Sequence, residues 1–275
     1  MKRLYLLPNV ITAFGLSCGL FAIFKMNMID PGEADYHVLV VTAGILMLAA
    51  FADAFDGAVA RIMKAQSEFG GIFDSLSDAI TFGVAPSVII LKTLSIVPGT
   101  EMSYMMTMAA MIFSVCGVLR LARYNILKMH ANPLDDKNKN FTGLPIPAAA
   151  VAAISSNLFL VSPELKNLGG VSDEVRAWIL FGVLVVLGYF MISRWKFPSI
   201  GSLHIRVASF QMVFLTVLCA VFFFYGLLHH FSVIFVIVSW AYIITAWILS
   251  LIRVISGRRS QTLIDYEPEP EEHEL

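Results

Sequence analysis

The sequence predicts an all-α membrane protein, a polytopic transmembrane helical bundle of about eight spans, and three observations support this fold class. Hydrophobic residues make up 58% of the 275 residues, and charged residues only 14%. Soluble domains contain roughly 25% charged residues. The apolar residues also fall into blocks close to the ~20 residues that a helix needs to cross the hydrocarbon core of a bilayer. We therefore expect membrane lipids around the chain and no nucleic acid among its partners.

The hydropathy pattern places the candidate spans in order along the chain. The first follows Lys2 and Arg3, and we interpret it as a retained helix, because its apolar run is too long for a signal peptide and no cleavage site follows it. The fifth is short and contains Pro145 and Pro147 near its start. The predicted spans are 9–29, 36–62, 71–96, 104–127, 144–162, 175–193, 207–228 and 231–254.

Lysine and arginine predict the orientation of the bundle, since they concentrate in cytoplasmic loops. With a cytoplasmic N-terminus, 15 of the 19 basic residues fall on the inner side and four on the outer side. The outer four are Lys25, Lys92, Lys166 and Arg176. We therefore expect both termini in the cytoplasm and the protein in the inner (cytoplasmic) membrane.

The C-terminal residues differ in composition from the rest. Residues 1–257 are expected to form one integral-membrane domain. Residues 258–275 include YEPEPEEHEL, which is acidic and rich in proline. This composition predicts a disordered cytoplasmic tail.

Four aspartates lie at the facing ends of the second and third spans, in DAFDGAVARIMKAQSEFGGIFDSLSD, residues 53–78. Asp53 and Asp56 share one helix face, and Asp74 and Asp78 share one face of the next helix. Because the turn between these helices is short, the two faces can converge on one point. Clustered carboxylates repel unless a cation lies between them, and an all-oxygen site suits Mg²⁺, Mn²⁺ or Ca²⁺. The hairpin therefore predicts a divalent metal site facing the cytoplasm, of the kind that serves phosphoryl chemistry.

The residues between the aspartates make the pattern more specific. Gly57 and Ala60 leave a helix face without bulk, so that another helix or a ligand can approach the backbone. Arg61 offers a cation to a phosphate, and Gly70 begins the second part of the pattern, which contains Asp74 and Asp78. The full pattern over residues 53–78 is D-x2-D-G-x2-A-R-x8-G-x3-D-x3-D. It resembles the signature of the CDP-alcohol phosphotransferase family at every fixed position.

The resemblance implies a role for each matching residue. Asp53, Asp56 and Asp74 would bind a divalent metal, Mg²⁺ or Mn²⁺, on the diphosphate of a CDP-linked lipid. Asp78 would be the catalytic base that takes the proton from the attacking hydroxyl, and it would also touch a second metal. A homodimer is expected, because the family tends to form one. The positions that match residues lining the CDP group are Gly57, Ala60, Arg61 and Gly70.

Other stretches resemble the bacterial and archaeal phosphatidylserine synthases of that family. They are LPNVITAFGLSCG at 7–19, SDAITFGVAPSVI at 77–89, LRLARYN at 119–125 and FTGLPIPAAA at 141–150. The implied reaction transfers the phosphatidyl group of CDP-diacylglycerol to the hydroxyl of L-serine and gives phosphatidylserine and CMP.

Four further polar residues are candidates for substrate contacts. Arg120 and Arg123, at i and i+3 in the fourth span, would bind the serine carboxylate or a lipid phosphate; alternatively, they anchor the helix to headgroups. Asn9 and Thr12 would bond the nucleotide; alternatively, they cap the helix that begins near Pro8.

Two alternatives remain open at this stage. The same chemistry could use choline, glycerol 3-phosphate or inositol as the acceptor alcohol. A divalent-cation transporter could also carry intramembrane aspartates, but its acidic residues would be distributed along a path over several helices. Here they are confined to two helix ends, which favours the enzyme.

Overall fold

The computed structural model describes residues 6–63, 67–130, 141–197, 226 and 229–256. Within these ranges the chain is helical apart from one two-stranded ribbon. The helices are α1 (Leu6–Asn27), α2 (Tyr36–Ile62), α3 (Glu68–Asp78), α4 (Ala85–Thr93), α5 (Glu101–His130), α6 (Ile146–Val161), α7 (Pro163–Asn167), α8 (Asp173–Ile192) and α9 (Phe231–Ser256).

The described residues contain seven helical segments that are long and apolar enough to cross a membrane. They match seven of the predicted spans to within a few residues, so the prediction of a transmembrane helical bundle is confirmed. The predicted span at 207–228 falls almost entirely outside the described residues, as does the acidic tail. The short fifth span is α6, which begins directly after Pro145 and has Pro147 in its first turn. Proline is tolerated there because the first turn has no intrahelical acceptor for its missing N–H.

The third membrane segment is not one regular helix, unlike the predicted span. A π-helical turn, Ala79–Val84, separates α3 from α4, and the Ala85 N–H donates to the Ile80 carbonyl, five residues earlier. Pro86 follows at once and has no N–H to donate within the helix. The Gly83 carbonyl oxygen accepts a hydrogen bond from Ser114 Oγ of α5, at 2.8 Å. This side-chain bond joins the π-helical turn to α5.

Helix α6 lies at the centre of the bundle. It is built from small residues, and its alanines at 149, 150, 152 and 153 are almost completely buried. Small side chains let neighbouring membrane helices approach closely. Around it, α1 packs along α2, and α5 packs along α8.

One end of the bundle, here called the hairpin end, contains the connection from α2 to α3. Helices α1 and α6 begin at this end, and α5 and α8 finish there. The ribbon also lies there, with Phe141–Thr142 antiparallel to Lys196–Phe197. Gly143 ends the first strand with φ of 75°. An added Cβ at this glycine would overlap the Met191 carbonyl oxygen, so the backbone fits here only without a side chain.

Candidate active site

The carboxylates of the hairpin converge as the helical spacing predicts. Oxygen atoms of Asp53 and Asp56 on α2 and of Asp74 on α3 lie within 4.8 Å of one another. Asp56 is only 4% exposed. Three carboxylate oxygens from two antiparallel helices form the donor set that a hard divalent cation prefers. The chemistry of these residues therefore fits a site for such an ion.

Asp78 lies beside this cluster at the end of α3. Its carboxylate is within hydrogen-bonding reach of Asp53. The guanidinium of Arg120, from α5, lies near enough to interact with it electrostatically. Asp78 thus lies beside the cluster of three carboxylates and in the neighbourhood of a buried cation.

Helix α1 supports the cluster from a third side. The Thr12 hydroxyl lies 2.5 Å from Asp56 Oδ2 and 3.0 Å from the Pro8 carbonyl oxygen. A hydroxyl has one proton, so it donates to one of these oxygens at a time. Since Thr12 is only 6% exposed, it is placed to orient a carboxylate inside the site.

The predicted nucleotide-binding positions of the hairpin differ in their exposure. Gly57 is exposed, and a Cβ added to it would meet no atom of the described residues within 4 Å. At Gly70 an added Cβ would come within 3.1 Å of Asn9 Oδ1, so α1 and α3 approach closely there. Ala60 is half-buried, and Arg61 lies in the last turn of α2 with its side chain outside the described part of the structure. The geometry leaves room for a ligand at Gly57.

The two arginines of α5 have different surroundings. Arg120 is 8% exposed, and its Nε has no hydrogen-bond partner in the described part of the protein. Arg123 donates from Nη1 to the Ile192 carbonyl at 3.0 Å and from Nη2 to the Ser193 carbonyl at 3.4 Å. These carbonyls end α8 and lack intrahelical donors. Arg120 therefore keeps a buried donor without a partner in the described residues, whereas Arg123 holds the end of a neighbouring helix.

Sequence reasoning singled out Thr12 but did not identify the other two hydroxyl groups beneath the aspartates. A small recess there is lined by Thr12, Ser77 and Thr81 together with Gly15 and Ala49. Ser77 and Thr81 follow Asp74 and Asp78 at i+3, which was the available signal. The π-helical turn directly after Asp78 gave a weaker signal, through Pro86 alone. Turns of this kind often occur at functional sites in helices.

Comparison with known proteins agrees with this geometry. A protein named CDP-diacylglycerol–serine O-phosphatidyltransferase from Helicobacter pylori is 30% identical over 213 residues, 78% of this chain and 80% of that protein. Proteins of the same name from Bacillus subtilis and Methanocaldococcus jannaschii are 31% and 26% identical, over 70% and 84% of this chain and 89% and 96% of theirs. The sequence model of the CDP-alcohol phosphatidyltransferase family matches residues 5–193. With all eight signature residues present and their carboxylates gathered at one end of a membrane bundle, the chain belongs to the CDP-alcohol phosphatidyltransferase family.

Proposed function

We propose that this protein is an enzyme that transfers the phosphatidyl group of CDP-diacylglycerol to the hydroxyl of L-serine and yields phosphatidylserine and CMP. One observation carries the proposal: oxygen atoms of Asp53, Asp56 and Asp74 lie within 4.8 Å of one another, with Asp78 beside them and the buried guanidinium of Arg120 near enough to act on Asp78 electrostatically. The cluster suits the diphosphate side of the reaction, and Asp78 with Arg120 suits an acceptor that has both a hydroxyl and a carboxylate. The names of the relatives support serine as that acceptor.

Asp53, Asp56 and Asp74 would hold a divalent metal ion, Mg²⁺ or Mn²⁺, with Asp78 at its edge. Such an ion neutralises charge on the diphosphate and makes CMP a better leaving group. Thr12 keeps Asp56 oriented by its hydrogen bond. The contribution of this chain is thus to fix three ligands before the substrate arrives.

The acceptor side of the reaction depends on Asp78 and Arg120. The serine hydroxyl oxygen attacks the phosphorus that carries diacylglycerol, the bond from this phosphorus to the CMP oxygen breaks, and the hydroxyl proton passes to Asp78. Arg120 binds the serine carboxylate, and this contact supplies the unpartnered Nε with an acceptor. Arg123 contributes by holding α8.

The nucleotide would lie along the surface that bears Gly57, Ala60, Arg61 and Gly70, with Asn9 at its edge. Gly57 supports this placement, because no atom of the described residues lies within 4 Å of a Cβ added there. The distribution of lysine and arginine supports a site open to the cytoplasm, with both termini on that side of the inner membrane.

The proposal also includes a homodimer as the oligomeric state. Size-exclusion chromatography with light scattering in detergent tests it.

The decisive experiment measures CMP release by the purified protein from CDP-diacylglycerol with L-serine, choline, glycerol 3-phosphate and inositol in turn. We expect release with L-serine, its loss on chelation of divalent ions, and its recovery with Mn²⁺ or Mg²⁺. Release that is faster with another alcohol would overturn the serine assignment and leave the transferase chemistry intact. Absence of CMP release with every alcohol, combined with metal-ion uptake into proteoliposomes, would instead indicate a transporter.

A further inference from the structure

A hydrogen-bonded pair joins α3 to α5 close to the proposed site. Asn125 Nδ2 donates to Ser75 Oγ at 2.9 Å. Ser75 Oγ in turn donates to the Gly71 carbonyl oxygen at 3.0 Å, within its own helix. Both side chains are half-buried. The pair is here called the Ser75–Asn125 bridge.

The bridge joins the two helices that carry Asp78 and Arg120. Ser75 precedes Asp78 by three residues on α3, and Asn125 follows Arg120 by five residues on α5. Because α3 runs away from the hairpin end and α5 runs toward it, both residues of the bridge lie nearer to the hairpin end than Asp78 and Arg120.

The backbones of α3 and α5 are not closely packed against each other. Among the described residues, α5 packs closely against the π-helical turn and α4, whereas α3 packs against α1 and the π-helical turn. The Ser75–Asn125 hydrogen bond therefore connects two helices that have few other close contacts with each other.

We propose that the Ser75–Asn125 bridge fixes the separation of α3 and α5 beside Asp78 and Arg120, and that Asn125 is a positioning residue for the acceptor alcohol. The inference rests on the proposed function, in which one acceptor meets Asp78 with its hydroxyl and Arg120 with its carboxylate. Asp78 comes from α3 and Arg120 from α5. In serine only two carbon atoms separate the hydroxyl oxygen from the carboxylate carbon, so a change in the separation of these helices moves one contact out of reach.

The test compares Asn125→Ala and Ser75→Ala with the wild type in the CMP-release assay. Loss of the bridge should raise the KM for L-serine about fivefold, equivalent to about 1 kcal/mol, and leave the KM for CDP-diacylglycerol unchanged. Ser75→Thr keeps the hydroxyl and should restore the wild-type KM. Because both residues act through one bond, the double variant Ser75→Ala/Asn125→Ala should be no worse than either single variant.

A matched control removes another hydrogen bond between helices, that of Ser155 Oγ on α6 with Ser239 Oγ on α9, at 2.7 Å. Ser155→Ala should lower the unfolding midpoint without raising the KM for L-serine. An unchanged serine KM in Asn125→Ala, or an equal rise for both substrates, would overturn the role of the bridge.

The two proposals fail in different ways. If the wild type used another alcohol in place of serine, the serine assignment would fall, and the KM for that alcohol would be measured in the same variants. An unchanged KM there would overturn the bridge as well, and a raised KM would support it. A wild type that turned over no alcohol would overturn both proposals.

Discussion

Replacing Asp78 with asparagine would separate metal binding from proton transfer. The amide has nearly the same size and can still hydrogen-bond to Asp53, but it cannot accept a proton at the reaction's pH. The oxygens that lie within 4.8 Å of one another come from Asp53, Asp56 and Asp74, and Asp78 is not among them. We therefore expect Asp78→Asn to retain the metal site and to lose the base.

The expected magnitudes differ for the two functions. A general base contributes typically 10²- to 10⁴-fold, so kcat/KM should fall about a thousandfold, or about 4 kcal/mol. Affinity for Mn²⁺ should fall by no more than the roughly 10- to 100-fold that the loss of a supporting contact costs. Asp74→Asn removes one of the three clustered carboxylates, and its loss of Mn²⁺ affinity should exceed the roughly 10- to 100-fold that supporting contacts cost.

The assay pairs CMP release with Mn²⁺ titration followed by electron paramagnetic resonance, and with metal-dependent binding of CDP-diacylglycerol. Asp78→Asn should bind both the ion and the lipid and release almost no CMP. Asp74→Asn should fail in all three measurements. Equal loss of ion and lipid binding in the two variants would refute the division of roles, and substantial turnover by Asp78→Asn would refute the base.

Three further predictions concern the residues around the cluster. Thr12→Val keeps the shape of the side chain but removes the donor to Asp56. Mn²⁺ affinity should therefore fall about tenfold in a titration, whereas Thr12→Ser should retain it. Equal affinities of the wild type and Thr12→Val would contradict this prediction. Gly19→Ala should destabilise the fold by about 1–3 kcal/mol, because the new methyl group would overlap Thr81 of the π-helical turn. Thermal unfolding in detergent measures this, with Gly44→Ala as the control, since no atom lies within 4 Å of a Cβ there; an equal midpoint for both variants would be inconsistent with the close packing. Arg123→Gln should lower the unfolding midpoint and leave the KM for L-serine unchanged, while Arg120→Gln should raise that KM; the reverse pattern would place the serine carboxylate at Arg123.

The membrane helices and the convergence of the aspartates could be predicted from the sequence because both depend on local regularities. Apolar length sets a span, and spacing of three or four residues puts side chains on one helix face. Asp53, Asp56 and Asp74 meet because a short turn leaves two antiparallel helices few alternatives. The start of α6 was likewise marked by Pro145.

Features that depend on distant partners could not be predicted in the same way. Arg120 and Arg123 share a helix face by spacing, yet the free carbonyls at the end of α8 draw Arg123 away from the site. The Gly83 carbonyl of the π-helical turn accepts a hydrogen bond from Ser114 Oγ, which belongs to another helix. The Ser75–Asn125 bridge joins residues 50 positions apart, and nothing near either residue in the sequence indicates the other.

The segment Glu68–Thr93 also has a consequence for how the protein enters the membrane. It is the least apolar of the seven membrane-length segments, and half of the residues in its most apolar stretch are buried against the rest of the bundle. Its two aspartates and its π-helical turn face α1, α2 and α5, not lipid. Without other helices to pack against, this segment would partition poorly from the translocon into the bilayer. The chain order resolves the difficulty, since α1 and α2 are synthesised first and can receive the segment as a protein surface. Insertion of this segment would therefore be the step in biogenesis that is most sensitive to mutations in the two helices that precede it.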